Sequence, residues 1–208
     1  MKETAMSLLK SALTVGALLV GLGTASAQTI GVPAGTYVAD RTHTNVLWTV
    51  SHFGTSNYIG RFSDIEATLV LDPTDPTKSK LMATIDPKSV DTNYPADDKD
   101  FNAEISGEMF FDAAKFDTIK FVSTKIETTG NDTGKVTGDL TFHGVTKPVT
   151  LDVKMNAALN PHPMTQKPVV GFSATGTIKR SEFGVTALVG PVGDDVKLTI
   201  ETEFVPEA

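Results

Sequence analysis

The sequence predicts an all-β domain of about eight or nine antiparallel strands, closed as a barrel or packed as a sandwich. Two observations lead to this fold class. From Gly35 onward, short segments rich in Val, Ile, Thr and Phe are separated by clusters of Gly, Pro, Asn and Asp, which favour turns. In several segments apolar and polar residues alternate, so each strand has one dry face and one face toward water, as in antiparallel sheets.

The predicted strands follow one another along the chain with few long connections. In order they are Thr36–Ala39, Asn45–Phe53, Arg61–Leu71, Lys80–Ile85, Thr118–Thr128, Lys135–Phe142, Val145–Ala157, Val169–Lys179 and Val196–Val205. Turn signals at Asn131–Gly134 and His143–Gly144 indicate hairpins between sequential strands. Alternation is clearest in two strands, whose apolar faces carry Val149, Leu151, Val153 and Met155, and Val196, Leu198 and Ile200.

One stretch, Pro87 to Lys115, does not have the strand pattern. Asp86–Val90 predicts a short helical turn, and Asp97–Ser106 predicts a short helix with Phe101 and Ile105 on one face. The acidic residues at the start of this segment are explained by a helix N-terminus, where carboxylates are favourable. We expect this helical insertion to act as a lid or plug on the β domain.

The N-terminus has the pattern of a secretory signal peptide. Two lysines precede an apolar run from Ala12 to Leu22, and the small residues Ala25-Ser26-Ala27 follow. An apolar run of about 11 residues is shorter than the roughly 20 that a membrane-spanning helix needs. We therefore predict cleavage after Ala27, export to the periplasm, and a mature single domain of residues 28–208.

Composition excludes several function classes. With 18 Lys and Arg against 25 Asp and Glu, the net charge is −7, so the basic footprint of a nucleic-acid binder is missing. The chain has no Cys, which excludes disulfides, Cys-ligated zinc, iron–sulfur clusters and thiol catalysis. The four His lack the spacing of a metal site, and no phosphate-binding or nucleophile motif occurs. The sequence therefore predicts no catalytic residue, no metal and no cofactor.

The apolar residues of the alternating strands are the remaining candidates for function. They either fill a packed core or line a cavity, because a barrel of about eight strands can be just filled or can hold one small ligand. Ala174 and Gly176 are small residues that leave room inside such a barrel. The predicted inward residues are Val46, Trp48, Val50, Leu69, Phe121, Leu140, Phe142, Phe172 and Ile178.

Several motifs occur in an order that resembles one bacterial family. The most specific is the run Val136–Val153, which contains Leu-Thr-Phe-His-Gly-Val-Thr-Lys-Pro-Val-Thr-Leu. Shorter pieces accompany it, among them Val50-Ser-His-Phe53, Gly60-Arg-Phe62 and Phe110-Phe-Asp112. Together they cover the mature chain from Gly35 to Val205 and resemble the YceI-like family of secreted proteins.

The resemblance implies a lipocalin-like antiparallel β-barrel around an elongated apolar pore. Members are periplasmic or secreted, are associated with binding polyisoprenoids or other long-chain amphiphiles, and in some cases with stress responses. They are not known as catalysts. The leading hypothesis is therefore a periplasmic binding protein that holds a long-chain isoprenoid, quinone-like or acyl lipid against the inward residues named above.

Polar contacts are expected at the mouth of this barrel. His52 and Arg61 flank the predicted turn after the second strand and are the candidates for contacting a ligand there. The chain departs from the family pattern before Phe110, where Glu104 replaces a His and Ser106 replaces an Arg. A less basic mouth suits a neutral head group better than a pyrophosphate.

Two alternatives stay open at this point. A small outer-membrane barrel would show the same alternation with its apolar face outward, although a content of only 7% aromatic residues with one Trp gives little material for aromatic girdles. An enzyme acting on a lipid would have to use His52 with Glu104 or Asp64. The sequence does not decide whether the protein forms a homodimer.

Overall fold

Eleven antiparallel strands form one continuous sheet in the computed structural model, which describes residues 29–207. The predicted signal peptide, residues 1–27, lies outside the described residues. The elements are β1 (Gly35–Ala39), β2 (Asn45–His52), β3 (Ser56–Phe62), β4 (Ile65–Leu71), β5 (Lys80–Ile85), β6 (Val90–Asp91), α1 (Phe101–Ser106), β7 (Ile119–Thr128), β8 (Thr133–Phe142), β9 (Val145–Leu159), β10 (Val169–Lys179) and β11 (Val192–Pro206). Within the described residues, no helix is both long and apolar enough to cross a membrane.

The last strand closes the sheet into a barrel because it pairs with two strands along one edge. Its C-terminal end pairs with β1, where Val205 lies opposite Val38, and its N-terminal part pairs with β2, where Leu198 lies opposite Trp48. The segments β1 and β2 are thus successive stretches of one wall, and β3 and β4 are successive stretches of the next. The result is a closed barrel of eight walls, β1/β2, β3/β4, β5, β7, β8, β9, β10 and β11. The predicted barrel is confirmed, and the sandwich alternative is wrong.

The predicted boundaries in the first half of the barrel need correction. The predicted strand Arg61–Leu71 is two strands, β3 and β4, with a bend between them. The strand β3 begins already at Ser56, because Phe53 and Gly54 both adopt left-handed backbone conformations, with φ of 52° and 70°, and turn the chain back directly after β2. The sequence signal for such a turn is Asn, Asp or Gly at the first position, and Phe53 hides it.

The helical insertion is present but shorter than predicted. The helix α1 begins at Phe101 rather than at Asp97, because Asp100 is its N-cap and accepts a hydrogen bond from the Ala103 backbone N–H at 2.9 Å. Its Ile105 side chain is buried against the barrel interior. The predicted helical turn at Asp86–Val90 is also present, as a 3₁₀ turn over Pro87–Ser89.

The outer wall of the barrel is mostly polar, with a few exposed apolar side chains at Ile59, Val70, Met82 and Val122. Cross-strand ion pairs join Lys135 to Asp152 at 2.5 Å and Lys179 to Asp195 at 2.7 Å, and other outward positions carry hydrogen-bonded Thr pairs. A barrel in an outer membrane presents an apolar band to lipid instead. The outer surface therefore disfavours the outer-membrane alternative.

Trp48 is positioned in the wall by a glycine on the neighbouring strand. Gly60 lies directly opposite Trp48 in the pairing of β2 with β3, and a Cβ atom at Gly60 would overlap the indole ring. The indole also stacks on Tyr58, with ring centroids 6.2 Å apart. Because Tyr58 and Phe111 both pack against the ring, moving it aside for a larger residue at position 60 would disrupt these contacts.

We expect Gly60→Ala to lower the free energy of unfolding by about 1–3 kcal/mol, the usual range for forcing an extra carbon into a packed site. Denaturant unfolding measures the change. Gly171→Ala is the matched control, since its Cβ would meet nothing nearer than Thr202 O at 3.9 Å and should leave stability almost unchanged. Equal effects of the two substitutions would show that the Trp48 contact does not constrain this wall.

Candidate functional site

The barrel interior holds an apolar cavity of about 730 Å³. Inward side chains from every wall line it, and most of them are aliphatic or aromatic. A volume in this range is typical of pockets that enclose small molecules, roughly 300–1,000 Å³. The interior is therefore not a filled core, and several inward residues such as Leu198 and Ile200 are only half-buried because they face this space.

One end of the cavity is packed by the start of the described chain. Ile30 and Val32 lie against the barrel, and the backbone N–H of Ile30 donates to Pro73 O at 2.9 Å. Both side chains are buried in a cluster with Tyr37, Leu69, Leu71, Val170 and Phe204. Two further clusters flank the middle and the other end of the cavity. The apolar packing is thus concentrated in the wall and at the ends, and the centre is open.

Ten of the eleven residues predicted to contact a ligand line this cavity. They are Val46, Trp48, Val50, His52, Leu69, Phe121, Leu140, Phe142, Phe172 and Ile178. Their place on the cavity wall is the predicted one, and their role in binding stays a prediction.

Arg61 is misplaced in the sequence prediction. Its neighbours Gly60 and Phe62 point into the barrel, so strand alternation directs Arg61 outward, where it is half-exposed and pairs with Asp91 at 2.9 Å. The prediction failed because it took residues 54–60 as the turn, which put Arg61 at a strand end. In the structure it lies near the end of β3, on the outer face.

Residues of the insertion form a part of the cavity wall that the sequence did not assign. Phe101 and Ile105 of α1 and the following Phe110 and Phe111 all reach the cavity. Phe111 meets the Trp48 ring edge-on at a centroid distance of 6.5 Å. The i, i+4 spacing of Phe101 and Ile105 was the available signal. Only the fold shows that this face turns into the barrel.

A buried arginine holds the connection between β10 and β11 against the barrel. Arg180 is 6% exposed, and its guanidinium donates to the carbonyl oxygens of Val185, Ala187, Val192 and Gly193 at 2.6–3.2 Å. Burial lowers the pKa of Arg180 from its ordinary value. Because two carbonyls of the loop 184–191 and two at the start of β11 meet at this side chain, Arg180 ties the loop that borders the cavity to β11.

The loop end of the cavity is where the β2–β3 turn, the loop 184–191 and α1 meet. Four cavity-lining residues there are also partly open to solvent, namely His52, Lys99, Glu104 and Leu188. The ammonium of Lys99 pairs with Glu104 at 2.8 Å, and this hydrogen bond raises the pKa of Lys99. The positive charge of Lys99 at this mouth is thus matched by the carboxylate of Glu104.

The carboxylates named for an enzymatic alternative are already engaged. Asp64 lies outside the cavity lining, at the bend between β3 and β4, and accepts a hydrogen bond from Arg41 at 2.5 Å. Glu104 lines the cavity but is paired with Lys99. Each of these carboxylates is therefore paired with a basic residue other than His52.

A cluster that could hold a metal ion lies on the outer wall, away from the cavity. His43 Nδ1 is 2.8 Å from Asp40 Oδ2 and 3.8 Å from Glu203 Oε2. Asp40 also accepts two hydrogen bonds from Thr42, so these residues brace the bend between β1 and β2 without any ion. The spacing of His residues along the sequence did not predict this cluster, because Glu203 reaches it only through the pairing of β1 with β11.

Comparisons with known proteins agree with this architecture. The family model described as a YceI-like domain matches residues 37–204. A UPF0312 protein of Pseudomonas fluorescens is 37% identical over 196 residues, which is 93% of this chain and 97% of that protein. The crystal structure of Burkholderia cenocepacia BcnA superposes with a TM-score of 0.69 at 25% identity, covering 79% of this chain and 98% of BcnA.

A second solved structure is similar in fold alone. It is described as a polyisoprenoid binding domain from Saccharophagus degradans implicated in plant cell wall breakdown. The TM-score is 0.60 at 12% identity, and the match covers 84% of this chain and all of that domain.

We expect Asp40→Asn to lower the pKa of His43. The hydrogen bond to Asp40 and the charge of Glu203 raise the pKa of His43 above its ordinary 6.5, while hydrogen bonds from Thr42 and His43 lower the pKa of Asp40 to about 2. An NMR titration of the imidazole in both proteins measures the change. An unchanged His43 pKa in the variant would contradict the pairing.

The same pair gives stability a defined pH dependence. Because the pKa of His43 is raised in the folded state, its interaction stabilises the fold fully below pH 6.5, and this stabilisation is lost as the pH rises through the folded-state pKa. Because the pKa of Asp40 is lowered, its interaction stabilises the fold above pH 3.8, and this stabilisation is lost as the pH falls toward 2. Asp40→Asn should therefore reduce the Tm more at about pH 5 than at about pH 8, at low ionic strength. Equal reductions at both would show that the ion pair is not the source.

Proposed function

Because the chain belongs to the YceI-like family, we propose that it is a binding protein that encloses the chain of an amphiphilic lipid in its barrel. The observation that carries the proposal is the open apolar cavity of about 730 Å³, lined by side chains from every wall of the barrel. No covalent step is needed, since the protein would act by removing the lipid chain from water.

Burial of the lipid chain supplies the binding energy. Each buried CH₂ contributes about 0.8 kcal/mol, so eight of them contribute about 6 kcal/mol before losses. Ordering a flexible chain and restricting the complex take back part of this gain. Such a site tolerates different chains, and it is sensitive mainly to their length and thickness.

A long-chain isoprenoid is our first choice of ligand. The similar fold from Saccharophagus degradans, described as a polyisoprenoid binding domain, supports this choice. The Lys99 ammonium at the loop end is already paired with Glu104 rather than free to bind a pyrophosphate, so a neutral head group such as a quinone fits better. Acyl lipids with neutral head groups are the second choice within the same class.

We extend the proposal to location. The signal peptide pattern of residues 1–27 supports export to the periplasm, with the mature protein beginning at Gln28. Intact-mass measurement of the protein from a periplasmic fraction tests this. Recovery of only the full-length mass, in the cytoplasmic fraction, would oppose it.

Native mass spectrometry of the mature protein, purified without detergent, tests the binding function. We expect a one-to-one adduct that releases an isoprenoid or acyl lipid with a neutral head group. A bare mass, together with no uptake of added prenyl quinones or fatty amides, would reject the proposal.

We expect Phe121→Glu to weaken lipid binding by about 100-fold or more, because it would bury an unpaired carboxylate in the cavity wall. Val122→Glu is the matched control. It is the next residue of β7 but points outward and is 37% exposed. Displacement of a fluorescent fatty-acid analogue measures affinity, and circular dichroism checks the fold.

A second inward variant separates loss of binding from a local folding defect caused by Phe121→Glu. Phe172→Asp places a charge on the cavity face of β10, three walls away from β7, and should have the same effect. Wild-type affinity in either folded inward variant would mean that the ligand does not occupy this cavity.

A further inference from the structure

The loop end of the barrel carries large apolar side chains that the fold does not bury. Phe53 in the β2–β3 turn is 61% exposed, Leu188 is 54% exposed and Val189 is 41% exposed. The two segments are neighbours, since the backbone N–H of Phe53 donates to Pro191 O at 2.7 Å. We call Phe53, Leu188 and Val189 the apolar rim.

The backbone conformation is unfavourable for two residues of the apolar rim. Phe53 and Leu188 both adopt left-handed conformations, with φ of 52° and 55°. Bulky side chains rarely occupy this region, and Asn or Gly would do so with less strain. Exposure and backbone conformation thus both oppose these residues in a protein surrounded only by water, so packing within the barrel does not explain them.

The apolar rim borders the mouth of the cavity. Leu188 is at once a lining residue and half-exposed, and His52, which precedes Phe53, also lines the cavity and is exposed. Arg180 holds the loop that carries Leu188 and Val189 in place. The apolar rim is therefore held in place at the edge of the opening by hydrogen bonds.

The other exposed part of the cavity lining differs in chemistry. At the opposite end of β8, the β7–β8 turn brings Thr128, Gly130, Asn131, Asp132 and Thr133 to the cavity. These residues are exposed and polar. Among the described residues, the apolar rim therefore lies at only one end of the cavity, while the exposed lining at the end packed by Ile30 and Val32 is polar, and this difference gives the barrel a direction.

We propose that the apolar rim docks on the surface of a lipid bilayer, so that the cavity mouth opens toward the membrane that supplies or receives the cargo. This inference rests on the proposed lipid-binding function. A long lipid chain leaves a bilayer slowly, because every CH₂ that enters water opposes the step. If the side chains of the apolar rim insert at the headgroup boundary, fewer CH₂ groups of the lipid chain enter water during the transfer.

The contact is apolar rather than electrostatic. Three lysines around the loop end are paired within the protein, Lys99 with Glu104, Lys147 with Glu182 and Lys179 with Asp195, and the whole chain carries a net charge of −7. A surface of this kind has no polybasic patch to attract anionic lipids. Docking should therefore be as strong on zwitterionic bilayers as on anionic ones.

The test uses phosphatidylcholine vesicles that contain a prenyl quinone, and the variant Phe53→Asn with Val189→Ser. Neither residue lines the cavity, and Asn tolerates the left-handed backbone at position 53. We expect the double variant to reduce both vesicle flotation and the rate of quinone transfer between vesicles by about tenfold or more. Quinone uptake from detergent micelles should be unchanged.

Met164→Ser is the matched control, because Met164 is 85% exposed on the β9–β10 connection, away from the apolar rim. It should float and transfer like the wild type. Wild-type flotation and transfer by the double variant would overturn the inference, as would flotation that depends on added phosphatidylglycerol.

Two further outcomes separate this inference from the binding function and from self-association. If no form of the protein takes up quinone from micelles, the binding proposal fails, while flotation that the double variant loses still supports the docking surface. If the wild type does not float but sediments as a dimer that the double variant dissociates, the apolar rim is an interface between two copies and membrane docking is overturned.

Discussion

The pairing of β11 with two different strands along one edge is the constraint on which the rest of the structure depends. Because Val205 pairs with β1 and Leu198 pairs with β2, the sheet closes with eight walls and its backbone groups are satisfied without an open edge at this seam. Closure forces every second side chain inward. Eight walls enclose just enough space for side chains or for one ligand, and here the packing lies in the wall and at the ends, so the centre stays open.

The segments outside the strands cover the two ends of the barrel in different ways. The stretch before β1 packs Ile30 and Val32 into one end. At the other end, α1 and the β10–β11 loop, held by Arg180, surround the opening with mixed apolar and paired charged groups. The same eight walls could carry other loops, so the direction of the cavity comes from these connections rather than from the barrel. The apolar rim is part of these connections, so it bears directly on the function of the protein.

Period-2 alternation was enough to predict most of the cavity wall from the sequence. Residues such as Trp48, Leu140 and Phe172 face inward because their strands have one apolar face, and the structure needs no other reason. The prediction failed where a turn lacked its usual residues: Phe53 in a left-handed conformation concealed the β2–β3 turn, and Arg61 was assigned to the mouth although it lies on the outer wall. Local composition cannot locate a turn whose conformation is imposed by the pairing of its flanking strands.

The residue pattern was sufficient to predict an all-β domain, the inward faces of the long strands, the position of the helical insertion and the resemblance to the YceI-like family. These features follow from alternation and motifs, which are local in the chain. The closure of the strands as a barrel, the open interior and the contact of Glu203 with Asp40 and His43 became visible only in the folded protein. The tertiary structure also decided that Phe53 and Leu188 border one opening. Each of these depends on distances between residues far apart in the chain, which are set by strand register and closure and leave no trace in local patterning.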